Sequence, residues 1–86
     1  MVKVAGAQVS YRAVCEFALR LRNAREYALA NRISRALDSG SREILLTARE
    51  EAQLLDALER YFVVGLEELE LRLVEKSRAR AAVGVG

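Results

Sequence analysis

Residues 45–62, LLTAREEAQLLDALERYF, decide how the chain is read, because they place Glu50, Glu51, Asp56 and Glu59 within ten positions. Two accounts compete for these acids: a carboxylate site, or the start and wet side of a helix. The local pattern favours the helix. Thr47 opens a T-x-x-E motif in which its hydroxyl accepts from the Glu50 amide while the Glu50 carboxylate reaches back to the Thr47 amide, a capping box. At about 100° per residue, Leu54, Leu55, Leu58, Tyr61 and Phe62 fall on one side and Arg49, Gln53, Asp56 and Arg60 on the other. The pattern predicts a helix from Ala48 to about Val64. Glu50 and Glu51 then complement the positive end of the helix dipole, and Asp56 pairs with Arg60 at i,i+4 on the solvated face. Glycosidase-type chemistry needs two facing acids in a concave site, which this spacing does not predict.

Working outward, the chain from about Ser10 to Asp38 lacks glycine and is rich in Ala, Leu, Arg and Glu, residues that lose little rotamer freedom in a helix. It reads as the longest helix, stopped by DSGS (38–41), where Gly40 can take the left-handed conformation that closes a helix. Ser41–Leu46 is a connector. MVKVAGAQV (1–9) alternates weakly and is expected to be a flexible lead-in or a short strand. Downstream, Gly65 marks a kink or a turn between two helices. The stretch LEELELRLVEKSRARA (66–81) has acids early and bases late, as a helix dipole favours, yet Leu69, Leu71 and Leu73 alternate as in a strand; its composition selects helix. AAVGVG (81–86) is expected to be flexible or to add to a partner. The fold class expected is therefore all-α: a single domain over residues 1–86, built as a helical hairpin of two long helices plus a shorter third element and completed by oligomerisation.

Composition narrows the chemistry. Apolar residues make up 52% and charged ones 30% of the 86 residues, too hydrophobic for disorder. The longest apolar run, Tyr61–Leu66, is far shorter than the ~20 residues of a membrane helix, and the N-terminus shows no signal-peptide core, so the chain is expected in the cytosol and off the membrane. Cys15 is the one cysteine and reads as a small buried hydrophobe rather than a reactive thiol. There is no histidine, which removes the commonest general base and metal ligand, and no glycine begins a phosphate-cradling motif. The expectation is a protein that is not an enzyme and carries no cofactor.

The net charge of +2 conceals a gradient. Residues 1–38 carry Lys3 and six arginines against three acids, residues 39–65 are net acidic, and residues 66–86 balance. Arg12, Arg20, Arg22, Arg25, Arg32 and Arg35 could contact nucleic-acid phosphates. On one continuous helix, however, they scatter: Arg12 and Arg20 to one side, Arg25 and Arg32 almost opposite, Arg22 and Arg35 elsewhere. The competing account pairs Arg12, Glu16 and Arg20, and Arg22 with Glu26, as i,i+4 ion pairs. The apolar residues say more. Val14, Phe17, Ala18, Leu21, Ala24 and Ala28 form one stripe, whereas Leu29, Ile33, Ala36 and Leu37 form a second, rotated by about a third of a turn and extended backwards by Cys15 and Leu19. One partner helix cannot cover both. The reading assigns Val14, Phe17, Leu21, Ala28, Leu29, Ile33 and Leu37 to an interface with a second copy or another protein subunit, and a nucleic-acid role for the arginines is the alternative.

Residues 28–62, ALANRISRALDSGSREILLTAREEAQLLDALERYF, carry an arginine followed by a hydrophobic helix end, a short linker, L-T-x-x-E and a Leu-rich helix ending in an aromatic. This arrangement resembles the helical domain of GINS subunits, accessory proteins of the replicative helicase in archaea and eukaryotes. The resemblance covers about 35 residues and implies a non-enzymatic subunit that assembles through helix faces. The chain departs from that family in having no room for its small β-rich domain.

Overall fold

The computed structural model describes the backbone of residues 1–85 and the side chains of residues 1–82. Its elements run β1 (Val2–Val4), β2 (Ala7–Val9), α1 (Tyr11–Asn23), α2 (Tyr27–Asp38), β3 (Glu43–Ile44), α3 (Ala48–Arg60) and α4 (Glu67–Val85). The protein is mostly helical, with four helices among the described residues, but it is not purely all-α. A small mixed sheet of order β2-β1-β3 is present, antiparallel between β1 and β2 and parallel between β1 and β3.

The sheet corrects the expectation of a flexible residue 1–9 segment. Ala5 and Gly6 both take positive φ (49° and 89°), the signature of a two-residue type I′ hairpin turn, so weak alternation is enough to pair Val2 with Val9 and Val4 with Ala7. Val2, Val4, Ala7 and Val9 face inward with Ile44 of β3, while Lys3, Gln8 and Glu43 face out. The outer edge of β3 is blunted: Ser41 Oγ accepts from the Glu43 amide and donates to the Glu43 carbonyl, and Arg32 donates to the Leu45 carbonyl at 2.7 Å.

The single long helix expected over residues 10–38 is two helices. Ser10 caps α1, its hydroxyl accepting from the Ala13 amide at 3.4 Å. The helix closes in a Schellman arrangement, with the Glu26 amide on the Leu21 carbonyl (2.8 Å) and the Arg25 amide on the Arg22 carbonyl (3.0 Å). Arg25 occupies the left-handed position, φ 65°, that glycine usually fills. This break explains why the two apolar stripes are rotated, since they belong to different helices that meet each other. Gly40 plays its expected part at the end of α2, with φ 78°.

Thr47 makes both bonds of the capping box at the start of α3, at 3.1 Å and 2.9 Å. The helix ends at Arg60, four residues short of the expected Val64, because the chain turns to bury Val63 and Leu66. Gly65 is the turn between helices: its φ is 109°, and a Cβ there would lie 3.0 Å from that of Ala13. The third element, expected to be shorter, is the longest helix, and it includes residues 81–85 of the segment expected to be flexible. Ala81 and Ala82 are good helix formers that extend an existing helix; Gly86 lies outside the described residues. Leu66, Leu69 and Leu73 are buried at helical spacing against β2 and α3, and this settles 66–81 as helix.

Candidate interaction surface

The face of α1 that turns inward holds Val14, Phe17, Ala18 and Leu21, all buried in the chain's own core. One step round the helix, at i, i+4, i+8 and i+11, lie Tyr11, Cys15, Leu19 and Arg22. After the Arg25 turn, α2 buries Ala30 and Ile33 and sets Ser34, Leu37 and Asp38 beside that flank. The result is a shallow groove between the two helices. Tyr11 (53% exposed) and Leu19 (58%) form its outer wall, with half-buried Cys15 and Leu37 along its floor.

Charge is distributed unevenly along this groove. Asp38 lies at the Tyr11 end, while Arg22 is rooted at the far end of α1 and its guanidinium reaches back to donate to Ser34 Oγ at 3.5 Å, one turn of α2 before Asp38. Asp38 forms no ion pair among the described residues, and as the last residue of α2 it stands at the negative end of that helix dipole. The Tyr11 hydroxyl is held above the ordinary phenol range, chiefly by the neighbouring Cys15 side chain, then by burial and, least, by the charge of Asp38. Cys15 is thus a half-exposed groove residue, not the buried hydrophobe expected.

The structure redistributes the expected interface. Val14, Phe17, Leu21 and Ile33 are core residues with at most 3% exposure, which corrects their assignment to an intermolecular face: the second stripe covers the first within one chain. Leu29 and Leu37 are half-buried and Ala28 is exposed. The extension of the second stripe through Cys15 and Leu19 coincides with the open groove. Tyr11 and Asp38 are not among the expected interface residues, and the i,i+4,i+8 spacing of Tyr11, Cys15 and Leu19 is the signal in the sequence that points to the groove.

The arginines are not gathered either. Arg20 pairs with Glu16 (3.7 Å) and donates to the Phe62 carbonyl (3.3 Å). Arg32 pairs with Glu50 at 3.0 Å across to α3. The expected Arg22–Glu26 pair is absent among the described residues, because Glu26 lies beyond the helix break and Arg22 reaches Ser34 instead. Arg12, Arg25 and Arg35 make no side-chain hydrogen bond among the described residues, and they lie on α1, in the turn and on α2 respectively. A smaller apolar patch is formed by Phe62, Leu71 and Val74, rimmed by Glu67 and Glu70.

Of the four acids in residues 45–62, three behave as a helix start and wet face. Glu50 closes the cap, and its carboxyl lies below the ordinary glutamate range, chiefly through the Thr47 backbone bond and then through Arg32. Asp56 pairs with Arg60 at 3.2 Å, and Glu59 is exposed. Glu51 differs, for its side chain is only 5% exposed and receives Lys76 Nζ at 2.8 Å and the Arg80 guanidinium. Burial alone raises its carboxyl, but the hydrogen bonds and charges of Lys76 and Arg80 outweigh that and hold it below the ordinary range. The apolar stripe of α4, Leu66–Leu69–Leu73, continues on the same face as Lys76 and Arg80, which close over Glu51. The group joins α4 to α3 and has the geometry of a structural ion cluster.

Comparison with protein-family models, with curated proteins and with solved structures gives no match. No helix among the described residues is long and apolar enough to cross a membrane.

Proposed function

We propose that this chain is a non-catalytic helical protein-interaction module, a homodimer or a small subunit of a larger assembly, and that its contact surface is the α1–α2 groove. The carrying observation is the grouping of Tyr11, Cys15, Leu19 and Leu37 along one open groove. Single exposed apolar residues are ordinary on any protein, whereas contiguous ones rimmed by charge mark contact surfaces. A chain of 86 residues has limited apolar area to bury alone, so a partner on this face adds to a small core. The resemblance of residues 28–62 to the helical domain of GINS subunits implies the same kind of work. The engagement of Arg20 and Arg32 with Glu16 and Glu50 favours this reading over a nucleic-acid role, which needs cations free and aligned along one face.

The test is the native mass in a gentle extract of cells making the protein, beside Leu19→Asp. The wild-type chain is expected to run well above its own 9.6 kDa and the variant to run lower. A wild-type species at the mass of the single chain in the extract removes the reading.

A further inference from the structure

Arg22 is rooted at one end of the groove and Asp38 stands at the other beside Tyr11, with apolar residues between, a pattern that complements itself once the Arg22 side chain leaves Ser34. Arg22 stands eleven residues along α1 from Tyr11, about 16 Å at the helical rise, and Asp38 lies at the Tyr11 end. A two-fold axis through the middle of the groove, between Cys15 and Leu19, lays α1 of one copy antiparallel to α1 of the other. That operation carries the Arg22 end of each copy onto the Tyr11–Asp38 end of its mate, so two identical cation–acid contacts form around a central apolar contact. We propose that the occupant of the α1–α2 groove is a second copy of this chain in this two-fold arrangement, with Arg22 meeting Asp38 of the second copy twice.

The inference rests on the interaction-module reading and specifies its partner. Asp38 supports it independently. The acid sits at the helix end where the dipole disfavours negative charge, and it has no cation of its own among the described residues. In the two-fold pair, the arginine of the mate supplies that charge. Arg22 has only a long bond to Ser34 Oγ to give up in exchange. Isologous contacts are the commonest way in which a single patch is covered by an identical chain. Another apolar patch, around Phe62 and Leu71, is rimmed by Glu67 and Glu70, and its neighbouring cation, Arg20, is held by Glu16 and the Phe62 carbonyl.

The test uses purified full-length chain, with mass from sedimentation equilibrium and folding checked by circular dichroism. Wild-type protein is expected at twice 9.6 kDa at concentrations on the order of 100 µM. Arg22→Glu alone makes both contacts acid–acid and Asp38→Arg alone makes both cation–cation, so each is expected to weaken self-association at least about tenfold. An equimolar mixture of the two folded variants restores both contacts with opposite charges, and the dimer mass should return. A wild-type chain that stays monomeric, single variants that dimerise as the wild type does, or a mixture that remains monomeric each overturns the proposal. If any of these occurs while the extract still shows a mass above the single chain, only the second-copy inference fails. A single-chain mass in the extract removes the module reading itself.

Discussion

The two helix pairs of this protein are joined in different ways. Between α1 and α2 the chain reverses within three residues, and the contact is apolar: Phe17 and Leu21 are buried in one core with Ala30 and Ile33. Between α3 and α4 the connection runs through Tyr61–Leu66, and the leucine stripe of α4 passes into Lys76 and Arg80, which close over Glu51. The first joint concentrates its cost in the backbone of one residue, Arg25, held at φ 65°. The second depends on charges that must be present together, because a buried carboxylate without its cations is far less favourable than either a complete cluster or none. A local cost lowers stability by a fixed amount. A buried charge makes distant residues answerable to one another.

The largest effect should therefore come from the second joint. Replacing Lys76 and Arg80 together by Met leaves Glu51 buried without a counter-charge and should cost about 3 kcal/mol in chemical denaturation, the lower end of the range for breaking a buried pair, since the last turns of α4 can open to water. Glu51→Gln should cost less, about 1–2 kcal/mol, because the two cations are partly exposed and can be hydrated. The reverse order would show that the carboxylate, not its cations, anchors α4. The sign with pH is also set. The carboxyl of Glu51 is depressed in the folded protein, so its contribution is fully present above the ordinary glutamate range and is lost as pH falls through the depressed value. Wild type should lose stability on acidification more steeply than Glu51→Gln, and parallel curves would remove the cluster as a source of acid sensitivity.

Two glycine-and-cap variants rank next. Gly65→Ala should destabilise by about 2 kcal/mol, since it combines positive φ with a backbone position close to Ala13. It tests whether the α3–α4 connection is as constrained as the ion cluster at the far end of the same helix pair, and a neutral result would mean the loop can shift without disturbing α1. Thr47→Ala should cost about 1 kcal/mol through loss of the cap, with Asp56→Asn as a solvent-face control that changes little. Equal effects of the two would contradict the cap as the origin of the α3 start.

Why some of this could be read in the residues and some not follows from sequence distance. The Thr47–Glu50 box and the Gly40 terminator act within a few residues, so their partners are visible in the string itself. Glu51 looks identical to Glu50 from its neighbours, because the cations that bury it lie 25 and 29 residues away. The hairpin of β1 and β2 has only three residues in each strand and an Ala-Gly turn, and β3 has two residues, too little alternation to separate strand from lead-in. The break at Arg25 carried no glycine or proline to announce it. Its trace was the rotation between the two apolar stripes, and an intermolecular surface and a bent chain both account for such a rotation. That ambiguity displaced the candidate surface onto core residues Val14, Phe17, Leu21 and Ile33, while Cys15 and Leu19 pointed to the groove that is open.

The smallest expected effect tests the first joint, and it has the opposite sign. Arg25→Gly places at the left-handed position of the Schellman turn the residue that adopts it without steric penalty. Relief of about 1–2 kcal/mol of left-handed strain is partly offset by the greater freedom of glycine in the unfolded chain, about 0.5–1 kcal/mol, so a net gain of about 0.5–1 kcal/mol is expected. No side-chain bond is sacrificed, since the Arg25 guanidinium makes no hydrogen bond or ion pair among the described residues. Arg25→Val should move the other way, because a β-branched side chain is least at ease with positive φ. If glycine instead destabilises, then the Arg25 side chain holds the turn through contacts beyond its backbone. The α1–α2 joint would then resemble the α3–α4 joint in depending on charge, and the contrast between a locally strained hinge and a mutually dependent ion cluster would fail.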